Sequence, residues 1–301
     1  MKAAVIREYG GPGVLHLEDV PDPEIGSSEI LIRVAAAGVN SIDASERAGH
    51  TRGWHPTFPA ILGWDVAGKV VSVGSDATEF APGDNVFAWG YHTYAQLCRV
   101  AAAVVAKVPA EIDLETAAAL PLVGTTGSQL ISVASGLAGG QTVLVSGAVG
   151  GVGRSAVFTA KDRGATVIAA VLKRQLDLAA ALGADQVVAL DDDDALRALP
   201  LVDIVANTVR GETADKLLTK VKPGGTFASV TGAPASAQQH PSVRVVAFIS
   251  KQSAKTLQYV AEAVRSRKLS IPIGHTLPLK DAAKGHSLVE GGGAGKVLLL
   301  P

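Results

Sequence analysis

The chain has 301 residues, 48% hydrophobic and 18% charged, with a net charge of −1. That length gives two domains, or one large one, with room for a sizeable core, and the charge excludes a general basic field for nucleic acid or an anionic membrane. Cys98 is the only cysteine, which rules out an intrachain disulfide and a cysteine-based zinc site.

The start, Met1-Lys2-Ala3-Ala4-Val5-Ile6-Arg7, is too short and too charged for a signal peptide, and no apolar run approaches the ~18 residues of a membrane span. The expectation is a cytoplasmic protein. In chain order, residues 1–118 read mostly as strand. β-branched runs such as Ile30–Val34 and Ala67–Val73 are punctuated by Pro21, Pro23, Gly26, Gly74 and Pro82-Gly83-Asp84, which suggests a barrel or sandwich. Near Leu114 the texture changes. Glu115–Leu122 reads as a helix, and strands then alternate with helices: strand Thr142–Ser146, helix Val152–Arg163, strand Thr166–Val171, helix Gln175–Leu182, then strands Gln186–Leu190, Val202–Asn207 and Thr226–Val230. The alternation predicts a parallel sheet with crossover helices. The acidic run Asp191–Asp194 reads as a solvated loop. Lys255–Arg267 is an amphipathic helix with Leu257, Val260, Ala261 and Val264 at helical spacing, and 295–300 is a strand expected to rejoin the first domain.

The strongest local signal is Val143–Gly153. A buried strand ending at Ser146 feeds a loop with Ala148, Gly150 and Gly153 in A-x-G-x-x-G spacing, through Gly151 and Val152, and the loop opens a helix. Small residues let the backbone approach a pyrophosphate, and the helix start offers unpaired N–H groups and a positive dipole end. An ordinary Gly-rich turn is the bland alternative, but strand, helix and next strand all sit at the distances a dinucleotide site needs. NAD sites carry an acidic residue about 20 residues past the loop. Here the next strand ends in Leu172-Lys173-Arg174, two cations and no carboxylate, which favours the 2′-phosphate of NADPH.

A series of blocks follows in fixed order: Gly38-Val39-Asn40-Ser41-Ile42-Asp43 with Arg47 and Gly49; Pro59–Gly68; Gly83-Asp84-Asn85-Val86; Tyr94-Ala95-Gln96; Ala118-Ala119-Leu120-Pro121; Thr125-Thr126-Gly127; Gly150–Gly153; Leu182-Gly183-Ala184-Asp185; Val221–Gly225; Gly295-Lys296-Val297. From end to end the chain resembles the zinc-free quinone oxidoreductases (zeta-crystallin-like) of the medium-chain dehydrogenase/reductase superfamily. The resemblance implies an α/β protein with a GroES-like β-barrel domain, residues 1–118 and 260–301, and an inserted Rossmann doubly wound parallel-sheet domain, residues 119–259, that binds NADP.

Zinc-dependent relatives place Cys, His, and Cys or Glu around the metal. The resemblance puts Asn40 and Trp64 at the first two of these positions, and an amide and an indole are poor zinc ligands. The function implied is NADPH-dependent, zinc-independent transfer of hydride to a quinone or other electron-poor conjugated carbonyl. Alternatives are an enone or enoyl double-bond reductase, and a non-catalytic NADPH-binding protein of crystallin-like or sensor type. By resemblance Asn40 is the catalytic candidate, its amide donating to the developing oxyanion; a turn Asn bonding its own backbone is the alternative. Trp54, Phe58 and Trp64 are candidates for the substrate cleft, Trp54 and Phe58 either stacking on a flat substrate or anchoring their loop. Asp43 and Asp65 read as supporting residues. Thr126, with Thr125, lies near the cofactor by resemblance, Thr231 and Gly232 are expected to line the nicotinamide pocket, and Phe248 to touch the cofactor. Two departures stand out: the segment 50–58 lacks the family's tyrosines, and Leu190 stands where some NADPH-binding relatives have Tyr. Relatives are commonly dimers through a Rossmann edge strand, for which Val243–Ile249 is the candidate, so a homodimer is expected.

Overall fold

The β-branched runs of the first third form strands in the computed structural model, which describes residues 1–51, 56–293 and 295–301. The chain divides into two compact units, Met1–Leu122 with Gln252–Pro301, and Val123–Lys251.

In the first unit, strand Glu29–Val39 is the organising element. It pairs antiparallel with Asp65–Val73 along most of its length, with Leu97–Ala101 at one end and Lys296–Leu300 at the other. Register shifts at Leu31/Ile32 and Val34/Ala36 bend it, as a sheet that curls toward a barrel requires. A second, three-stranded sheet holds Lys2–Ile6 between His16–Asp19 and Ala60–Ile61. Alternate residues of both sheets, among them Ile6, Ile30, Ile32, Val66, Val86 and Leu299, meet in one core. The C-terminal strand Lys296–Leu300 thus completes a sheet begun by residues 29–39.

Helices Ser41–Arg47, Ala254–Arg265 and Ala282–Gly291 are among those that flank this unit. Ser41–Arg47 is two turns long and carries buried Asp43, Glu46 and Arg47. Ala254–Arg265 starts under a Ser253 cap, whose Oγ accepts from Thr256 N at 3.1 Å, and buries Leu257, Val260 and Ala261. This helix belongs to the first unit. Ala282–Gly291 brings His286 inward.

The second unit is a six-stranded, wholly parallel sheet in the order 186–189, 166–171, 142–146, 202–207, 221–229, 244–247. Numbered along the chain that is 3-2-1-4-5-6, the doubly wound order of dinucleotide-binding sheets. Its strands are continuous apolar runs because helices cover both faces, giving one core around Val143, Val145, Val167 and Ala206 and another around Leu144, Ile168, Val205 and Phe227.

Several local expectations are corrected. Glu115–Leu122 is not one helix: Leu114–Ala118 ends, and Pro121 begins a second helix through Gln129, because proline lacks the N–H that would continue the first and disfavours helical backbone at Leu120. Gln175–Leu182 shortens to Leu176–Ala180 behind a 3₁₀ turn, Lys173–Gln175. The acidic run is not a loop throughout. Asp192 caps a short helix, Asp193–Ala198, its Oδ1 accepting from Asp194 N and Ala195 N. Among the described residues no helix is long and apolar enough to cross a membrane.

Candidate cofactor and active site

The glycine loop sits where the sheet order reverses, at the carboxyl end of strand Thr142–Ser146. Gly147 has φ +63°, a conformation that costs a glycine nothing. Gly150 caps the helix Gly151–Asp162, whose first backbone bond there is Arg154 N to Gly150 O at 2.8 Å. The amides of Gly151, Val152 and Gly153 precede that bond and have no partner within the helix, the arrangement that binds a phosphate. A Cβ on Gly153 would collide with Gly147 O and Ala148 Cα, so the loop closes this tightly only with glycine there. Ala148 is buried beneath it, and the helix carrying Thr125 and Thr126 presses on the loop helix through Gly127, where a Cβ would meet Val152 O.

Around the loop the strand ends are cross-braced. Ser146 Oγ donates to Asn207 Oδ1 (2.9 Å); Asn207 Nδ2 donates to Val209 O (2.7 Å), Ser229 Oγ (3.0 Å) and Thr231 Oγ1 (3.2 Å). Thr208 bonds Ser146 through its amide and its hydroxyl. Asn207 is the hub of this brace and was not singled out from sequence; its place at the carboxyl end of a predicted strand is the signal that was available. Thr231 belongs to the brace, and Gly232 beside it is exposed with φ +98°. Thr126 Oγ1 bonds Ser250 Oγ at 2.8 Å, while Thr125 Oγ1 is buried with no partner among the described residues. Phe248 is half-buried against the sheet core, its amide donating to Ser229 O. Lys173 and Arg174 are exposed at the end of strand Thr166–Val171 and form no ion pair among the described residues. Amides without a helical partner at the end of one strand, and exposed cations without an ion pair among the described residues at the end of the next, fit a phosphorylated dinucleotide.

The first unit holds the second cluster. Asn40 ends strand Glu29–Val39 and starts helix Ser41–Arg47, its amide N donating to Asp43 Oδ2 at 2.8 Å. The side chain is fully engaged. Nδ2 donates to Asp65 Oδ2 (2.9 Å) and Gly38 O (3.4 Å), and Oδ1 accepts from the buried Lys296 ammonium (2.6 Å). Lys296 Nζ also meets Asp65 Oδ2 at 2.5 Å, and Asp65 Oδ1 takes the amide of Leu122 at 2.7 Å. Gly38 makes the room, since a Cβ there would strike Asp65 Oδ2, Lys296 Cε and Ala118 O. With both N–H directions committed inside the cluster, Asn40 is a fixed element of a buried Asn–Asp–Lys network. Lys296, whose neighbours Gly295 and Val297 give no hint of a buried ammonium, anchors this network.

Trp64 turns its indole N–H to Glu46 Oε2 (2.8 Å) and stacks near Trp89, centroids 5.4 Å apart, with Tyr91 edge-on at 5.3 Å. Burial pushes Glu46 up to about 7, the Trp64 bond opposing it. Burial likewise pushes Asp43 up to about 8, against its bonds from the Tyr94 hydroxyl and Asn40 N. Phe58 is exposed and lies edge-on to Tyr9 at 5.2 Å. Trp54 lies outside the described residues.

With that geometry in view, comparison with known proteins is decisive. An NADPH-dependent alkenal/one oxidoreductase of Arabidopsis thaliana is 31% identical over 315 residues, covering all of this chain and 80% of the relative. The chain belongs to the quinone oxidoreductase family of medium-chain dehydrogenases/reductases. The quinone oxidoreductase of Coxiella burnetii superposes with a TM-score of 0.90 at 29% identity, covering 100% of this chain and 99% of that one. The Escherichia coli quinone oxidoreductase, solved with NADPH, gives 0.89 at 26% identity with both chains fully covered. Residues 26–110 match the alcohol dehydrogenase GroES-like domain and residues 182–299 the zinc-binding dehydrogenase model.

The zinc which that second description implies does not fit the residues present in this quinone oxidoreductase family member. Asn40 Oδ1 faces an ammonium that would repel a dication, and Trp64 offers an N–H donor already spent on Glu46. Cys98 is buried, its thiol pushed up to about 12. Among the described residues no three His, Cys, Asp or Glu side chains gather as metal ligands.

Proposed function

We propose that the protein is an NADPH-dependent reductase that delivers hydride to a quinone or another electron-poor conjugated carbonyl without zinc. The observation that carries this reading is the loop Gly147–Gly153 at the switch point of a 3-2-1-4-5-6 sheet. Bound NADPH supplies the hydride from its nicotinamide. The amides of Gly151, Val152 and Gly153 hold the diphosphate, with Ala148 and Gly150 leaving space for it, and Lys173 and Arg174 attract the 2′-phosphate. Thr126, Thr231, Gly232 and Phe248 bound the nicotinamide side, kept in place by the Ser146–Asn207–Ser229 brace. Within the first unit, Trp64 and Phe58 offer flat apolar surface suited to a planar substrate, and Asn40, Asp65 and Lys296 hold one another in place. Orientation of two planar partners is a sufficient catalytic device for a conjugated acceptor, whose negative charge delocalises as it forms.

The similarity to an alkenal/one oxidoreductase keeps the enone form of this reading beside the quinone form. A panel of quinones and α,β-unsaturated carbonyls, followed by NADPH oxidation at 340 nm, tests both. Turnover of either class supports the reading, and tight NADPH binding with no turnover of any acceptor supports the sensor alternative.

We further propose a cytoplasmic homodimer. Strand Arg244–Ala247 is the edge of the sheet, and Ile249 just beyond it is 86% exposed, so two copies pairing edge to edge would cover both. A monomeric mass by light scattering would reject the dimer.

A further inference from the structure

We propose that Asp191 limits the enzyme's preference for NADPH, so that the same pocket also accepts NADH. The inference rests on the dinucleotide reading above and concerns the end of the site that holds the adenosine ribose.

Strands Thr166–Val171 and Gln186–Ala189 are parallel neighbours, with Val171 opposite Ala189, so their carboxyl ends lie side by side. Leu190 N bonds Val171 O at 2.7 Å, and one residue later Asp191 Oδ1 accepts from Lys173 N at 2.7 Å. The carboxylate is thereby fastened over the end of strand Thr166–Val171, the place where dinucleotide-binding sheets present an acidic residue to the ribose hydroxyls. Sequence spacing hides it, because it arrives from the next strand. Its neighbours in the acidic run are otherwise engaged: Asp192 caps its helix, Asp193 pairs with Lys216, and Asp194 with Arg197. The side chains of Lys173 and Arg174, just beyond the same strand end, form no ion pair among the described residues.

The site therefore carries both chemistries. Two cations attract a 2′-phosphate of charge about −1.5 to −2. The carboxylate of Asp191 repels that phosphate, yet its second oxygen can accept a hydrogen bond from the 2′-hydroxyl of NADH. It also occupies the Lys173 amide, which is then lost to a phosphate. Removing its charge relieves the repulsion and removes the acceptor suited to the hydroxyl.

Calorimetric titration with 2′,5′-ADP and with 5′-AMP isolates this end of the cofactor from hydride transfer. Asp191→Asn keeps an oxygen for Lys173 N and removes the charge. It is expected to bind 2′,5′-ADP roughly threefold to tenfold more tightly, with no gain for 5′-AMP, and to raise the NADPH-to-NADH ratio of kcat/KM by a similar factor. The gain in 2′,5′-ADP affinity should shrink in high salt, where exposed charges are screened. Wild-type protein that binds both nucleotides while Asp191→Asn leaves their affinity ratio within about twofold, or moves it toward 5′-AMP, overturns the assignment of Asp191 and leaves the dinucleotide reading standing. Wild-type protein that binds neither nucleotide, NADPH nor NADH removes the dinucleotide reading and the inference with it.

Discussion

Replacing Lys296 by Met should destabilise the first unit by an amount that identifies Asp65 as a buried anion. Asp65 is fully buried and has three donors: the Lys296 ammonium, Asn40 Nδ2 and Leu122 N. Methionine keeps the length of the stem but removes, among the described residues, the only counter-charge within hydrogen-bond distance. Breaking a buried pair on one side costs about 3–5 kcal/mol, because the remaining charge stays desolvated. The native-to-unfolded ratio should fall by a factor of roughly 10² to 10³ or more. The assay is urea unfolding followed by tryptophan fluorescence. All three tryptophans, Trp54, Trp64 and Trp89, fall within residues 1–122, so the signal reports this unit and not the nucleotide-binding one. The double variant Lys296→Met/Asp65→Asn removes both charges and should be at least about 1–2 kcal/mol more stable than the sum of the two single losses predicts. A loss below about 1 kcal/mol for Lys296→Met, or simple additivity in the double variant, would refute this account of the network.

Three further outcomes follow from the same geometry. Gly153→Ala pushes a methyl group into Gly147 O and Ala148 Cα, so NADPH affinity by fluorescence titration should drop at least about tenfold, while the tryptophan-detected unfolding of the first unit stays put. His286 is held neutral by burial, with the Arg47 guanidinium donating to its Nδ1 at 3.2 Å, and its pKa falls to about 3. Between pH 6.5 and 3 the unfolded chain binds a proton that the folded one refuses, so this contribution is complete above pH 6.5 and is lost as pH falls. His286→Asn should therefore gain about 2–3 kcal/mol relative to wild type between pH 7.5 and 4.5, and a difference that does not change with pH contradicts the assignment. Asp43 has the opposite sign. With its pKa raised to about 8, the folded protein holds a proton that the unfolded chain has released, and stability is lost as pH rises from about 4 to 8; Asp43→Asn should gain on wild type over that window, as urea midpoints would show.

The nucleotide-binding half was legible because its chemistry is local. The loop needs Gly147 and Gly153 for backbone reasons that no distant residue can supply, and strands buried on both faces announce themselves as unbroken apolar runs such as Val143–Val145 and Val202–Ala206. The first unit was legible only in outline, since its site is assembled from afar. Helix Ser41–Arg47 is two turns long, too short for a periodic pattern, and its charged residues find partners beyond reach of spacing rules: Arg47 meets His286 and Glu290, and Asn40 meets Lys296, all more than 200 positions along the chain. Family resemblance points to Asn40, but its bonds to Asp65 and from Lys296 are visible only in the structure. Asp191 illustrates the same limit on a smaller scale. Its carboxylate belongs in sequence to an acidic run and in space to the end of the neighbouring strand.

The central claim is metal-independent reduction beside a helix-bound NADPH. Its most direct measurement is NADPH oxidation with a quinone or an α,β-unsaturated carbonyl by protein dialysed exhaustively against a chelator, before and after addition of zinc. The account predicts the same rate in all three preparations: untreated, chelated and zinc-supplemented. Activity that vanishes on chelation and returns with zinc would contradict it.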